Sequence, residues 1–396
     1  MKLNSILLIS ALVLNSCSIQ TADRQYPAKI RFATFNAAMG LAEEGELQRR
    51  LVAGDDPALI KLAAILQRVR PDVVLLNEFD FEPDFDSAAS LKSNYLIKSQ
   101  YGELPINYPH SFSAPVNTGV DSGLDLDQDG QLGGPGDGWG FGKFPGQYGM
   151  LVLSRYPIDQ DTVRTFRTMR WTAMPNANLP VDPEHGGPWY PAPVAAALRL
   201  SSKSHWDIPI LVAGQEVHFL TLHPTPPVFD GPEDRNGRRN FDEIRLIHDY
   251  IDPQRSAYIV DDKGAAGGLL QAAQFIIAGD LNSDPSDGDS DPGAIAQLLE
   301  HPLINASCQP GSNGAKLASV SQGGVNLLQQ GNPALDTADF NDQFVGNLRL
   351  DYVLPSANLN IKDCGVFWPA PGDRGAEWIQ VSDHRLSWID LPLSAD

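Results

Sequence analysis

Seven short apolar runs, each giving way to polar residues, punctuate the chain at 30–36, 73–78, 149–154, 217–223, 275–282, 350–355 and 385–391. Runs of this length, bounded by turn formers, predict strands. Between the first two, apolar positions recur at helical spacing over 58–69. Asp55 and Asp56 can cap that helix, Pro57 suits its first turn and Pro71 stops it. Further helices are expected over 241–251 and 293–299. Strands interleaved with helices predict a layered α/β domain.

Two stretches break the rhythm. Residues 100–147 are dense in Gly, Pro, Asp and Asn, and residues 165–210 carry Trp171, His185, Trp189, Lys203, His205 and Trp206. Long segments without regular structure inside a compact domain are commonly functional or disordered. Both fall between strands whose ends carry reactive groups, so they are expected to wall a substrate site. No linker divides the 396 residues, and a single domain over 26–396 is expected, acting as a monomer.

The polar residues that close the apolar runs carry the chemistry. Phe-Ile-Ile-Ala-Gly-Asp-Leu-Asn at 275–282 delivers Asp280 and, two residues later, Asn282 to the same side of a strand. Alone, that segment reads as a plain turn. It does not stand alone, because Asn36, Glu78 and His223 end other runs, and Asp351 and the pair Asp383-His384 follow near the C-terminus. Open α/β sheets present reactive groups at such ends.

These segments, in this order, resemble the endonuclease/exonuclease/phosphatase superfamily, the DNase I-like metal-dependent phosphoesterases. The resemblance runs over about residues 30–391 and lies in the strand ends. It implies a four-layer α/β sandwich, two packed mixed sheets flanked by helices. It also implies a metal-binding Glu78 with Asn36 as a second anchor, and Asp280 orienting or deprotonating the attacking water. Asn282 would hold a phosphate oxygen, and His384 would face the scissile phosphate. Asp351 would pair with His384, and Asp383 would serve as a metal or structural ligand. His223 stands where the nuclease and sphingomyelinase branches keep a His. Asn77 and Arg385-Leu386 depart from the Gln and Pro common in the family, and neither is expected to touch the reacting groups.

The residue types agree with that chemistry on physical grounds. A phosphodiester repels hydroxide, and its transition state gathers further negative charge. A hard Mg²⁺ or Mn²⁺ held by carboxylates offsets that charge and supplies water. An Asp can take or steer the proton of water, and a His can protonate the leaving oxygen.

Charge narrows the target. The net charge of −20 excludes the basic footprint of a tight nucleic-acid binder. It does not exclude a nuclease, since bound metal supplies local attraction. An extracellular nuclease or other phosphodiesterase is the first expectation; a phosphatase or phospholipase-type enzyme on small organic phosphates or lipid headgroups follows. A non-catalytic binding module is disfavoured, because Asp280, Asn282 and His384 are all present. A calcineurin-like phosphoesterase would need a Gly-Asn-His-Asp/Glu segment that the chain lacks.

Secondary signals remain. Asp125, Asp127 and Asp129 alternate before Gly130 like the opening of an EF-hand loop. Gly136 stands where that loop needs Glu, and Asp137 follows it, so either a structural Ca²⁺ site or a solvated acidic loop is expected. Residues 199–206 gather two cations, three hydroxyls and an indole, which makes Lys203 and His205 candidate substrate ligands. Arg238 is a third, in the only dense basic run, 235–240. The first 16 residues have the early Lys and apolar core of a signal peptide, and Leu14-Asn15-Ser16-Cys17 resembles a lipobox with Cys17 lipidated. Export follows under either reading, to the bacterial envelope on a lipid anchor or free in the medium. Any membrane contact is then expected through that anchor alone. With Cys17 lipidated, Cys308 and Cys364 are the candidate disulfide, against two separate thiols.

Overall fold

A computed structural model describes residues 29–393. The expected leader and Cys17 lie outside the described residues.

The apolar runs form strands in two mixed sheets. The first has six strands, with Lys29–Met39 and Val73–Phe79 as a parallel pair at its centre. Ser387–Pro392 pairs antiparallel to Lys29–Met39, and Met150–Ser154 pairs antiparallel to Val73–Phe79. The second sheet has five strands, around the parallel pair Gln215–Leu222 and Phe275–Asp280. Asp351–Pro355 and His205–Val212 flank that pair antiparallel.

The helices Glu46–Ala53 and Pro57–Val69 connect the first parallel pair; Arg235–Tyr250 connects the second. A parallel connection needs such a crossover.

Period-two alternation explains why these strands are apolar on both faces. Ile30 and Phe32, Val73 and Leu75, Phe219, Ile276 and Ala278, Val353, and Ile389 all join the core between the sheets. The residues between them turn outward: Phe35, Val74 and Leu76 pack on the helices of the first sheet. Leu220, Leu222 and Ile277 pack on Arg235–Tyr250 and Pro292–Leu299. Phe32 and Phe219 meet across the seam with ring centroids 5.6 Å apart. Each such buried side chain contributes roughly 1.5–3 kcal/mol before cavity terms. The result is helix, sheet, sheet, helix, the four layers expected.

Two boundaries differ markedly from the sequence reading, and some helices are new. The strand His205–Val212 takes the last residues of the supposed insertion 165–210, because Trp206, Ile208 and Ile210 alternate into the seam. The helix expected at 241 begins at Arg235, since its first turns bury Gly237 and Asn240 and show no apolar period. The helices Glu46–Ala53 and Asn313–Gln322 were not anticipated.

Candidate active site

Carrying the alternation past the end of the apolar core locates the site. Thr34 and Asn36 continue the parity of Phe32, Asn77 that of Leu75, Thr221 and His223 that of Phe219, and Asp280 that of Ala278. Asp351, two before Val353, sits opposite Asp280 in the antiparallel register, which places both side chains on one face. All are buried. The seam between the sheets therefore turns from apolar to polar at one end, with residues from both sheets.

Asp280 is the hub. Its Oδ2 accepts a hydrogen bond from Asn36 Nδ2 at 3.1 Å and lies 3.4 Å from His223 Nε2 and 3.6 Å from His384 Nε2. Its Oδ1 accepts from Asn282 N–H at 3.0 Å. Burial works to raise the Asp280 carboxyl, but the His384 and His223 rings and the Asn36 amide overcome it and hold the group ionised, below the usual carboxylate range.

The two histidines differ. His384 Nδ1 lies 2.8 Å from Asp351 Oδ2. Burial alone would discharge the ring, but Asp351 and Asp280 outweigh it and hold His384 well above its ordinary value. His223 has no such partner: its buried Nδ1 is unpaired. Burial, and the nearby Lys203 ammonium, push it down. One ring is held as a cation and the other as a neutral base.

His384 is fixed from several sides. Its N–H donates to Ser382 Oγ at 2.9 Å, and that hydroxyl donates to Asn36 O at 2.8 Å. Phe340 from a neighbouring turn meets the ring edge-on with centroids 5.6 Å apart. Thr337 Oγ1 accepts from Asp351 N–H at 2.9 Å.

Glu78 reaches the site through a bulge. Asn36 pairs with Asn77 and Met39 with Phe79, so one extra residue is accommodated on the first strand. Ala38 and Glu78 both adopt positive φ there, 50° and 51°, a conformation that costs a non-glycine residue free energy. The half-buried Glu78 carboxylate faces the cleft and has no hydrogen-bond or ion-pair partner among the described residues. Asn282 also has positive φ, 49°, and its Nδ2 donates to Pro224 O at 3.2 Å. That bond ties it to the turn after His223.

The remaining expectations fare unevenly. Lys203 lies in the cleft beside Glu78, with its Nζ donating to Pro224 O at 3.4 Å. His205 is no substrate ligand: it is buried, with Nδ1 2.6 Å from Ser201 Oγ and Nε2 3.0 Å from Glu243 O. The adjacent Arg239, not Arg238, lines the cleft; Arg238 turns to Asn178 Oδ1 at 3.0 Å. Asp383 is exposed, and its backbone oxygen accepts from Asp339 N–H at 2.8 Å. Carboxylate oxygens of Asp125, Asp127 and Asp137 lie within 4.8 Å of one another, without Asp129. Asp137 replaces it as a buried member, accepting from Leu126 N–H at 2.7 Å. Cys308 and Cys364 form a disulfide with Cα atoms 6.3 Å apart.

Asn77 was misjudged. It is fully buried; its Oδ1 accepts from Asp280 N–H and from Thr34 Oγ1, each at 3.2 Å, and its Nδ2 donates to Leu222 O at 3.3 Å. One amide thus links the first sheet to both catalytic strands of the second. The signal was present, since Asn77 shares the parity of Leu75.

A metal would meet two groups of ligands here. Atoms of Asp280, Asp351 and His384 lie within 4.8 Å of one another, but Asp351 engages His384, whose charged ring is no ligand. Glu78 offers the free carboxylate, with Asn36 on the neighbouring strand and Asp280 across the seam. That hard oxygen set fits Mg²⁺ or Mn²⁺.

Two mixed sheets packed into four layers carry clustered Asp and His side chains at one end of their seam, an arrangement suited to acid–base chemistry. The chain belongs to the endonuclease/exonuclease/phosphatase family, whose sequence profile matches residues 33–384. Among solved structures, an endonuclease/exonuclease/phosphatase from Beutenbergia cavernae is similar at 19% identity and TM-score 0.51, over 93% of this chain and 72% of that one. A family protein from Leptotrichia buccalis is similar at 16% identity and TM-score 0.49, over 92% and 100%. Sphingomyelinase C from Streptomyces griseocarneus follows at 13% identity and TM-score 0.46, over 91% and 99%. No curated protein matches the chain.

Proposed function

We propose that this protein is an exported, divalent-metal-dependent phosphodiesterase that uses water as nucleophile. The observation that carries the reading is the convergence of Asn36, His223 and His384 on Asp280 Oδ2. A cation at Glu78 and Asn36 supplies charge neutralisation of the phosphate.

The protein's own groups divide the remaining work. Asp280, held ionised, is a weak proton acceptor, so it orients the attacking water more than it deprotonates it. Neutral His223 is the better acceptor for the water proton. His384, kept charged by Asp351, presents Nε2–H to the oxygen that leaves as the P–O ester bond breaks. The N-terminal signal pattern, with its lipobox-like Cys17, supports export.

A nuclease is the second reading, since His223 stands where the nuclease and sphingomyelinase branches both keep a His. The test is turnover of bis-p-nitrophenyl phosphate and plasmid DNA by purified protein with Mg²⁺ or Mn²⁺, against a chelator control. Metal-dependent turnover abolished by Asp280→Ala is expected. No turnover on either substrate, or turnover indifferent to that change, overturns the proposal.

A further inference from the structure

The cleft beside Glu78 joins two surfaces of opposite character. Its volume is ≈ 770 Å³, inside the range of roughly 300–1,000 Å³ usual for small-molecule sites. On one side sits Lys203, only 6% exposed. Its single hydrogen bond goes to Pro224 O, leaving two ammonium hydrogens without a partner among the described residues.

Glu243, the carboxylate that acts most strongly on both cations, is already engaged. Glu243 Oε1 accepts from Ser202 N–H at 2.6 Å and from Ser202 Oγ at 3.0 Å, and Oε2 accepts from Thr225 N–H at 2.6 Å. Arg239, one helical turn before it, gives Nε and Nη2 to the carbonyls of Leu200, Trp139 and Arg199. Its Nη1 has no partner among the described residues. Burial works against the charge on Lys203 and Arg239 is half-buried, so donors left open on both are costly unless an anion completes them.

The cleft's lining is otherwise largely apolar, with Leu126, Phe141, Trp171, Tyr190, Val228 and Phe229 beside the charged Asp127 and Arg235. Phe141 and Phe229 stand 62% and 88% exposed. Both expected insertions contribute: Leu126 and Phe141 come from 100–147, Trp171 and Tyr190 from 165–210.

We infer that this cleft takes a compact amphipathic phosphoester, its phosphate on Lys203 and Arg239 beside Glu78 and one apolar organic group along the aromatic wall. The inference rests on the phosphodiesterase reading for its reaction and specifies its substrate class. A duplex would present many phosphates to an acidic surface and leave the aromatic wall empty. An aromatic group, as in a nucleobase, and an aliphatic one, as in an acyl chain, share the chemistry the wall selects.

Binding without turnover separates this inference from the reaction itself. The full mature chain with Mg²⁺ is titrated calorimetrically with methylphosphonate, phenylphosphonate and hexylphosphonate, whose C–P bonds resist hydrolysis. Phenyl- or hexylphosphonate should bind roughly tenfold or more tightly than methylphosphonate, and whichever is tighter identifies the aromatic or aliphatic source. Lys203→Met should weaken all three by about tenfold or more, and Lys203→Arg should restore much of that loss. Phe141→Ala, on the exposed rim, should narrow the gap between organic and methyl ligands. Equal affinity for the three phosphonates overturns the inference even in an active enzyme, as does unchanged binding by Lys203→Met. Selective binding by a protein that turns over no phosphoester instead sinks the phosphodiesterase reading and leaves the binding preference standing.

Discussion

His384 and His223 flank the same Asp280 oxygen, one just before a strand of the first sheet and the other just after a strand of the second. His384 itself is held on three sides: Asp351 on Nδ1, Ser382 on the backbone, Phe340 on the ring edge. Around His223 the imidazole Nδ1 is buried and unpaired, with the Lys203 ammonium nearby. Burial works against charge on both rings; Lys203 adds to it at His223, while Asp351 and Asp280 outweigh it at His384. Environments that push like groups apart in this way assign an acid and a base.

The comparison breaks most completely at its shared centre. Asp280→Ala should lower kcat by about 10³-fold or more, with the fold retained by circular dichroism, because both rings lose their common partner. Next is the charged side. His384→Ala should cost about 10²- to 10⁴-fold in kcat. Asp351→Asn removes the largest influence holding His384 charged, so the alkaline limb of the pH–rate profile should move to lower pH. The sign follows from the role: an acid raised above its ordinary value stays competent until pH climbs past that raised value, and losing the carboxylate brings the limit down. An unmoved alkaline limb would dissociate His384 from the acid step.

On the neutral side, removing a positive neighbour has the opposite sense. Lys203→Met should let His223 take up a proton at higher pH than before, moving the acidic limb upward in pH. His223→Gln should cost less than His384→Ala, on the order of 10- to 10²-fold, if Asp280 retains the water-orienting role. The smallest expected effect is Asn77→Ala, which leaves Asp280 N–H without its side-chain acceptor. It should lower stability by about 1–3 kcal/mol in chemical denaturation and reduce kcat without shifting either limb.

Much of this arrangement was legible in the chain because both kinds of information share a period of two. The same alternation that sends Phe32, Leu75, Phe219 and Ala278 into the seam sends Asn36, Asn77, His223 and Asp280 into the site. Glu78 and His384 fall outside it, through a bulge and a bridge before the last strand. Those required the family resemblance. What hid Asn77 was its type: a buried amide between strands looks like a turn former in sequence. His205 hid for the reverse reason. It stands among hydroxyls and cations in the sequence, yet its strand turns it away from the cleft, toward Glu243 O. Arg238 and Arg239 are adjacent on a helix, so roughly 100° of rotation decides which meets the cleft, and the polar first turns gave no period to fix the phase. Asp137 was visible one place past the loop's twelfth position; what spacing could not show is that Asp129 stays out of the cluster.

Cys308 and Cys364 join the stretch after Pro292–Leu299 to the edge strand Asp363–Val366 of the first sheet. Near that stretch Asn305 N–H donates to Pro355 O of the second sheet. The covalent tie therefore adds to the packed side chains and the hydrogen bonds from Asn36 and Asn77 that already hold the two sheets together. Because neither sheet holds a whole set of reactive groups, catalytic rate becomes a gauge of their alignment. A slide of one strand step, about 3.3 Å, would silence the enzyme while leaving its circular dichroism nearly untouched.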